Sequence, residues 1–93
     1  MEILKAKRYI VKGDVQGVGY RYFAVRVAQR LGVKGFVRNL PNGDVEAYAE
    51  AAEKNLEEFR RDLLKGPMMS HVTEVIVSEE QSKGTFNSFE IRY

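Results

Sequence analysis

A glycine-rich segment is the part of this sequence best suited to bind an anion. It spans residues 13–21 and reads GDVQGVGYR. Its glycines allow successive backbone N–H groups to point inward, and such a nest at the start of a helix binds a phosphate-sized group. Arg21 adds a guanidinium that can donate to two phosphate oxygens at once and stays charged at any working pH. The segment therefore predicts a site for a phosphate-like anion.

A purely structural interpretation of this segment stays open, since many strand-to-helix loops contain glycine and most arginines near a helix start are solvated. Arg21 favours the functional interpretation, because a cation at a helix N-terminus opposes the helix dipole at a cost of ~0.3–1 kcal/mol that a bound anion would offset. The common nucleotide motifs do not match. No Gly-Lys-Ser/Thr follows the glycines, and Tyr22 stands where a dinucleotide-binding fingerprint needs glycine.

Asn39 is the second candidate, near the end of a predicted strand and before a tight turn. A neutral amide can accept a hydrogen bond from water and donate one to a phosphate oxygen, so it can orient a nucleophile. Asparagine is also common at strand ends and turns for conformational reasons alone. From its position alone, the structural interpretation of Asn39 is the favoured one.

The pattern of apolar residues predicts the elements that would position these side chains. The predicted strands cover residues 5–13, 35–40, 44–50, 72–79 and 89–93, and the predicted helices cover residues 20–31 and 53–65. Asn42-Gly43 predicts a hairpin turn with positive φ, and Val75 and Val77 are expected to face inward. The order is βαββαβ plus a short C-terminal strand. This order predicts an α+β, ferredoxin-like split βαβ sandwich, an antiparallel sheet with two helices on one face, as a single domain over residues 1–93.

Composition narrows the chemistry further. The sequence has no cysteine and one histidine, which excludes thiolate chemistry and leaves no metal or cofactor site to expect. That histidine, His71, is far along the chain from the glycine-rich segment, and we interpret it as a loop residue. The formal net charge of +2 suits an anionic small molecule and does not by itself indicate nucleic acid. No stretch reaches the ~20 apolar residues of a membrane span, and residues 1–5 show no signal peptide, so we expect a cytoplasmic protein.

Two segments resemble the signatures of one known family, the acylphosphatases. Residues 11–21 (VKGDVQGVGYR) are similar to the first signature of that family, and residues 35–45 (GFVRNLPNGDV) to the second. Further positions fit the family pattern at Gly66, Pro67, Ser70, Val72, Phe89, Ile91 and Arg92. Two positions depart from it. Tyr20 stands where phenylalanine or methionine is common but keeps an aromatic ring, and Ala51 replaces a usual glycine away from the phosphate loop.

The resemblance implies a small stand-alone enzyme of ferredoxin-like fold that hydrolyses acyl phosphates, without a metal or cofactor. By the same resemblance, Arg21 binds the substrate phosphate and Asn39 orients the attacking water. The backbone amides implied to help hold the phosphate belong to Val15, Gln16, Gly17, Val18, Gly19 and Tyr20. The expected partner is a small acyl phosphate, with inorganic phosphate as product and inhibitor. We expect a monomer that binds neither nucleic acid nor a membrane.

Arg21, the loop amides and Asn39 suit an acyl phosphate, which is a mixed anhydride. Its carboxylate leaving group is a weak base that needs little help from a general acid. The transferring phosphoryl group is loose and metaphosphate-like, so positioning and charge stabilisation can supply most of the catalysis. Because Asn39 cannot take a proton at neutral pH, we hypothesise that the substrate phosphate receives it.

Three other interpretations stay open. An RNA-binding module shares the element order, and Phe36 faintly echoes its aromatic strand motif, although Arg38 and Asn39 break that motif and it belongs on the third strand. A non-catalytic anion sensor would keep Arg21 but has less use for Asn39. Similar domains also occur inside larger hydrogenase-maturation proteins that process carbamoyl phosphate.

Overall fold

The computed structural model describes residues 3–93, and every predicted element is present with bounds that differ by no more than one residue. The elements are β1 (Lys5–Asp14), α1 (Tyr20–Leu31), β2 (Lys34–Asn39), β3 (Val45–Ala51), α2 (Glu53–Lys65), β4 (His71–Glu80) and β5 (Phe89–Arg92). Residues 1 and 2, where the predicted domain begins and the signal-peptide prediction applies, lie outside the described residues. No helix in residues 3–93 is long and apolar enough to span a membrane.

The strands form one five-stranded sheet in the order β4-β1-β3-β2-β5. The first four strands pair antiparallel, as predicted. The terminal strand differs, because β5 runs parallel to β2, from Gly35 opposite Phe89 to Arg38 opposite Arg92. This parallel pairing brings the C-terminal end of the chain beside the end of β2, where Asn39 lies.

Both helices pack on one face of the sheet, over the predicted apolar side of β3. Alternation along the strand turns Val45, Ala47 and Ala49 to this face, where all three are fully buried. The apolar stripe of α2 is buried here too, and its Phe59 ring lies 5.4 Å from the Tyr9 ring, centroid to centroid. The fold is therefore the predicted ferredoxin-like α+β sandwich.

The opposite face of β3 is buried as well, although no helix covers it. Glu46, Tyr48 and Glu50 are 5%, 2% and 3% exposed. The Tyr48 hydroxyl donates to Glu50 Oε2 at 2.6 Å, and the backbone N–H of Lys83 donates to the same oxygen at 2.6 Å. Burial, aided by Glu50, raises the pKa of Tyr48 to about 12, so the phenol stays a donor. The connection between β4 and β5 is thus held onto this face of the sheet.

The edge strand β4 is less buried than its apolar residues predict. Its pairing with β1 shifts register between Lys12 and Gly13, so that Val72 and Val75 both pack against the core. Val77 lies opposite the fully buried Tyr9 but stays 36% exposed. The prediction that Val77 is inward therefore holds for its direction and not for its burial, because β4 has no neighbour on its outer side.

Candidate functional site

The loop between β1 and α1 presents backbone N–H groups at the start of a helix. Gly17 and Gly19 have φ of 75° and 76°, in the left-handed region that other residues rarely adopt. Gly19 is the N-cap of α1, no side chain caps the helix, and no acidic residue lies in its first turn. The N–H groups of that turn therefore lack a side-chain acceptor, and the positive end of the helix dipole adds to their attraction for an anion.

This loop and the end of β2 enclose one small cleft of about 90 Å³. The cleft is lined by Val15, Gly17, Gly19, Tyr20, Arg21, Tyr22 and Asn39. The two sequence-predicted side chains, Arg21 and Asn39, thus lie at the same cleft although they are far apart in the sequence. Gln16 and Val18 are not among its lining residues, and Val18 packs against the hydrophobic core instead.

Gln16 connects the loop to the turn that follows Asn39. Its Nε2 donates to the carbonyl oxygens of Leu40 and Asp44, at 2.8 Å each. That turn is closed by a hydrogen bond from Leu40 N to Asp44 O at 2.8 Å. The amide side chain of Gln16 therefore links the two walls of the cleft. The sequence predicts a role only for the backbone N–H of this residue.

The turn at residues 40–44 differs in detail from the predicted one. Gly43 has φ of 98°, whereas no residue other than glycine has positive φ in residues 3–93. Asn42 contributes through its side chain, because its Oδ1 accepts a hydrogen bond from Asp44 N at 3.1 Å. The prediction that Asn-Gly together supply positive φ is therefore wrong for Asn42, which stabilises the turn as an Asx acceptor.

Asn39 has a buried acceptor that the protein leaves unused. It lies two residues after the buried Val37, so strand alternation turns its side chain to the helix side, toward the start of α1. Its Oδ1 is buried and makes no hydrogen bond, the one such side-chain atom in the part of the chain that the structure describes. A buried unpaired acceptor costs about 1–3 kcal/mol, so its presence at the cleft makes Asn39 a candidate functional residue.

Arg21 has a charge that no carboxylate balances. It is partly exposed, and among residues 3–93 it makes no ion pair. Its Cζ lies over the ring of Tyr93, 4.9 Å from the centroid, so an aromatic face orients the guanidinium without neutralising it. The guanidinium is therefore free to bind an anion in the cleft.

Tyr20 fixes the first turn of α1 in place. Its ring is 2% exposed, and its hydroxyl donates to the backbone oxygen of Leu63, near the end of α2, at 2.5 Å. Burial raises the pKa of Tyr20, so the hydroxyl stays protonated. A phenylalanine at this position would lack that bond between the helices, so the departure from the family pattern adds a contact and leaves the cleft intact.

His71 lies beside the β1–α1 loop, although it is far from it along the chain, and it does not line the cleft. It is the first residue of β4, so the prediction that it lies in a loop is wrong, and it pairs with Asp14, immediately before Val15. The side chain is exposed and does not line the cleft. Within residues 3–93, no three or more histidine, cysteine, aspartate or glutamate side chains are grouped so as to hold a metal ion.

Tyr22 lines the cleft, and the sequence reasoning did not assign it a role. It is 59% exposed, on the side of α1 away from the stripe of Phe23, Val27 and Leu31. An aromatic residue outside that stripe, next to the predicted anion-binding arginine, was the signal available in the sequence, because core packing does not account for it.

Comparisons with known proteins point to one family. The family model for acylphosphatase matches residues 7–91. An acylphosphatase from Thermotoga maritima is 46% identical over 97% of this chain and 99% of its own length. The crystal structure of an acylphosphatase from Bacillus subtilis superposes with a TM-score of 0.92, at 38% identity over 98% of this chain and 100% of that one.

A larger protein contains a similar segment. Full-length HypF, solved in a phosphate- and nucleotide-bound form, matches 100% of this chain with a TM-score of 0.87 and 28% identity, over 12% of its own length. The relatives of matching length carry the name acylphosphatase. With its fold, its cleft and these matches over nearly the whole sequence, the chain belongs to the acylphosphatase family and is an enzyme that hydrolyses acyl phosphates.

Proposed function

We propose that the cleft between the β1–α1 loop and the end of β2 is the active site. Arg21 and the backbone N–H groups of the loop bind the phosphoryl group, and Asn39 holds the attacking water. The cleft volume of about 90 Å³ supports this assignment, because it suits a single phosphoryl group better than a whole organic ligand, whose sites measure ~300–1,000 Å³.

Asn39 carries most of this proposal, because its buried Oδ1 is an acceptor with no donor among residues 3–93. A water molecule bound there donates one hydrogen bond to Oδ1, which turns an oxygen lone pair toward the phosphorus. The unbalanced guanidinium of Arg21 and the helix N-terminus lie around the same cleft. They stabilise the charge on the equatorial oxygens in the transition state, where such preorganised donors contribute most.

The reaction balances without a base from the enzyme. The water oxygen forms a bond to phosphorus while the bond from phosphorus to the acyl oxygen breaks, and that electron pair leaves on the carboxylate. The proton of the water goes to an oxygen of the phosphoryl group, since the Asn39 amide cannot accept it. Products are the carboxylate and inorganic phosphate, and the phosphate binds the same cleft as an inhibitor.

We also propose how this enzyme stands with respect to metal ions, cellular location, oligomeric state and nucleic acid. Without a cluster of metal-ligating side chains in residues 3–93, we propose that Arg21 and the loop amides alone stabilise the charge. We propose a cytoplasmic, monomeric, single-domain enzyme over residues 1–93. Base stacking on the outer face of the sheet is disfavoured, because Arg92 Cζ covers the Phe36 ring at 4.2 Å from its centroid and Tyr48 is buried. We therefore propose no nucleic-acid partner.

The roles are tested with purified protein and benzoyl phosphate in the presence of EDTA. We expect wild-type turnover, inhibition by inorganic phosphate, and a loss of about 10²–10³ in kcat/KM for Arg21→Ala, as for removal of one transition-state donor. Arg26→Ala is the matched control, since Arg26 is an exposed arginine on the same helix outside this cleft. Equal losses in the two variants would attribute the effect to general charge, and turnover abolished by EDTA would contradict the metal-free mechanism.

A further inference from the structure

The acyl group of the substrate has no enclosed pocket at this site. The cleft of about 90 Å³ is lined by residues of the β1–α1 loop and the first turn of α1, together with Asn39. Once a phosphoryl group fills it, the acyl group must lie at its mouth. Any preference among acyl groups then depends on which side chains border that mouth. Among residues 3–93, Tyr22 has the one large ring that both lines the cleft and is exposed.

Tyr22 is placed by the same turn of α1 that places Arg21. Both residues line the cleft, so a phosphate held by Arg21 brings the rest of the substrate next to the Tyr22 ring. That ring is 59% exposed, whereas the neighbouring Tyr20 is 2% exposed and fixed to Leu63 O. Tyr22 has neither a hydrogen bond nor a stacked ring among residues 3–93 that would occupy it.

The exposed ring of Tyr22 favours an uncharged, flat partner that can stack on it. The stacked and edge-on contacts of aromatic rings contribute about 0.5–1.5 kcal/mol beyond the burial of apolar area. Each buried apolar carbon adds to this, so a phenyl ring gains much more from such a surface than a methyl group does.

We propose that Tyr22 forms the acyl-group subsite of this enzyme and gives it a preference for acyl phosphates with an aromatic or bulky apolar acyl group. The proposal rests on the proposed active site around Arg21 and Asn39. Tyr22 touches the substrate but not the reacting atoms, so it acts on substrate binding and leaves the phosphoryl-transfer step unchanged.

The test compares benzoyl phosphate with acetyl phosphate in wild type, Tyr22→Ala and Tyr22→Phe. For Tyr22→Ala we expect KM to rise about 3- to 10-fold for benzoyl phosphate, with KM for acetyl phosphate and kcat for both substrates within about twofold of wild type. Tyr22→Phe keeps the ring and is expected to retain the wild-type KM values. Met68→Ala, at a residue 96% exposed and outside the cleft, serves as the control.

Each other outcome has a defined meaning. A KM for benzoyl phosphate unchanged in Tyr22→Ala would overturn the subsite, as would equal rises for both substrates, which would show that Tyr22 shapes the phosphate cleft itself. The inhibition constant of inorganic phosphate distinguishes these cases, since a true acyl subsite leaves it unchanged. No turnover of either substrate by wild type would overturn the proposed active site, and the Tyr22 comparison would fall with it.

Discussion

At the residue scale, the site combines two side chains with opposite needs. Among residues 3–93, Arg21 is a cation without a carboxylate partner, and Asn39 has a buried acceptor without a donor. Neither arrangement stabilises the folded protein. In the proposed site, a phosphoryl group pairs with Arg21 and a water molecule donates a hydrogen bond to Asn39, so one bound substrate and one water satisfy both residues.

Arg21 could be predicted from the residues alone because its chemistry is visible in its type and its neighbours. Asn39 could not, since a strand-end asparagine is common, and only the family resemblance assigned it to the site. What the sequence hid is the burial of Oδ1, which depends on the packing of α1 against the end of β2. Tyr22 was missed for a related reason. The sequence predicts that this helix residue is exposed, but it does not predict the cleft that the residue borders.

At the element scale, the sheet holds the two walls of the cleft. The connection between β4 and β5 covers the face of the sheet that is away from the helices. Glu50 on β3 accepts hydrogen bonds from Tyr48 and from the backbone N–H of Lys83, each at 2.6 Å, and from that of Gly84 at 3.4 Å. Burial alone would raise the pKa of Glu50, but these donors outweigh it and hold that pKa below the ordinary value of 4.5.

Glu50→Gln tests whether this carboxylate fixes the connection to the sheet. We expect the free energy of unfolding at pH 7 to fall by about 1–3 kcal/mol, because the donors lose a charged acceptor. A carboxyl whose pKa is lowered on folding stabilises above its unfolded pKa and loses that effect as pH falls through the folded pKa. The difference between wild type and variant should therefore shrink as the pH is lowered from 5 toward 3, in urea unfolding monitored by circular dichroism.

Glu90→Gln is the matched control, since Glu90 is an exposed glutamate on β5. It should change the unfolding free energy by no more than about 0.5 kcal/mol at any of these pH values. If Glu50→Gln lowers the unfolding free energy by the same amount at every pH, the charge of Glu50 does not hold the connection between β4 and β5 to the sheet.

Element identity was largely predictable, and the departures have physical causes. The helix bounds follow from a clear repeat of apolar residues that ends at Gly32 and Gly66. The parallel pairing of β5 with β2 was not predictable, because it depends on how residues 81–88 cross the outer face of the sheet. The burial of Glu46 and Glu50 was hidden likewise, since alternation places them on a face and does not say what covers it.

At the scale of the whole molecule, one core joins the helices to the sheet. Phe59 of α2 is fully buried, and its ring contacts those of Tyr9 on β1 and Phe89 on β5, at centroid distances of 5.4 Å and 5.6 Å. This ring therefore connects strands that lie on either side of the central strand β3. The cleft depends on that packing only indirectly, through the position of α1.

Phe59→Ala is expected to destabilise the protein by about 3–5 kcal/mol, the usual effect of removing a buried aromatic ring. Urea unfolding should show a lower midpoint with an unchanged m-value. Leu64→Ala, at a half-exposed residue of the same helix, should cost about 0.5 kcal/mol or less. A loss below about 1 kcal/mol for Phe59→Ala would mean that α2 is not held to the sheet through this ring.

The central claim is that Arg21 holds the phosphate while Asn39 holds the water, and Asn39→Ala separates the two most directly. The measurement is kcat for benzoyl phosphate together with the inhibition constant of inorganic phosphate. We predict that kcat falls about 100-fold, as for a misplaced nucleophile, while phosphate inhibits as strongly as in wild type. Asn39→Asp should be similarly impaired. A wild-type kcat in Asn39→Ala would contradict the account, and so would an Asn39→Asp enzyme as active as wild type with a new carboxylate pKa in its pH profile.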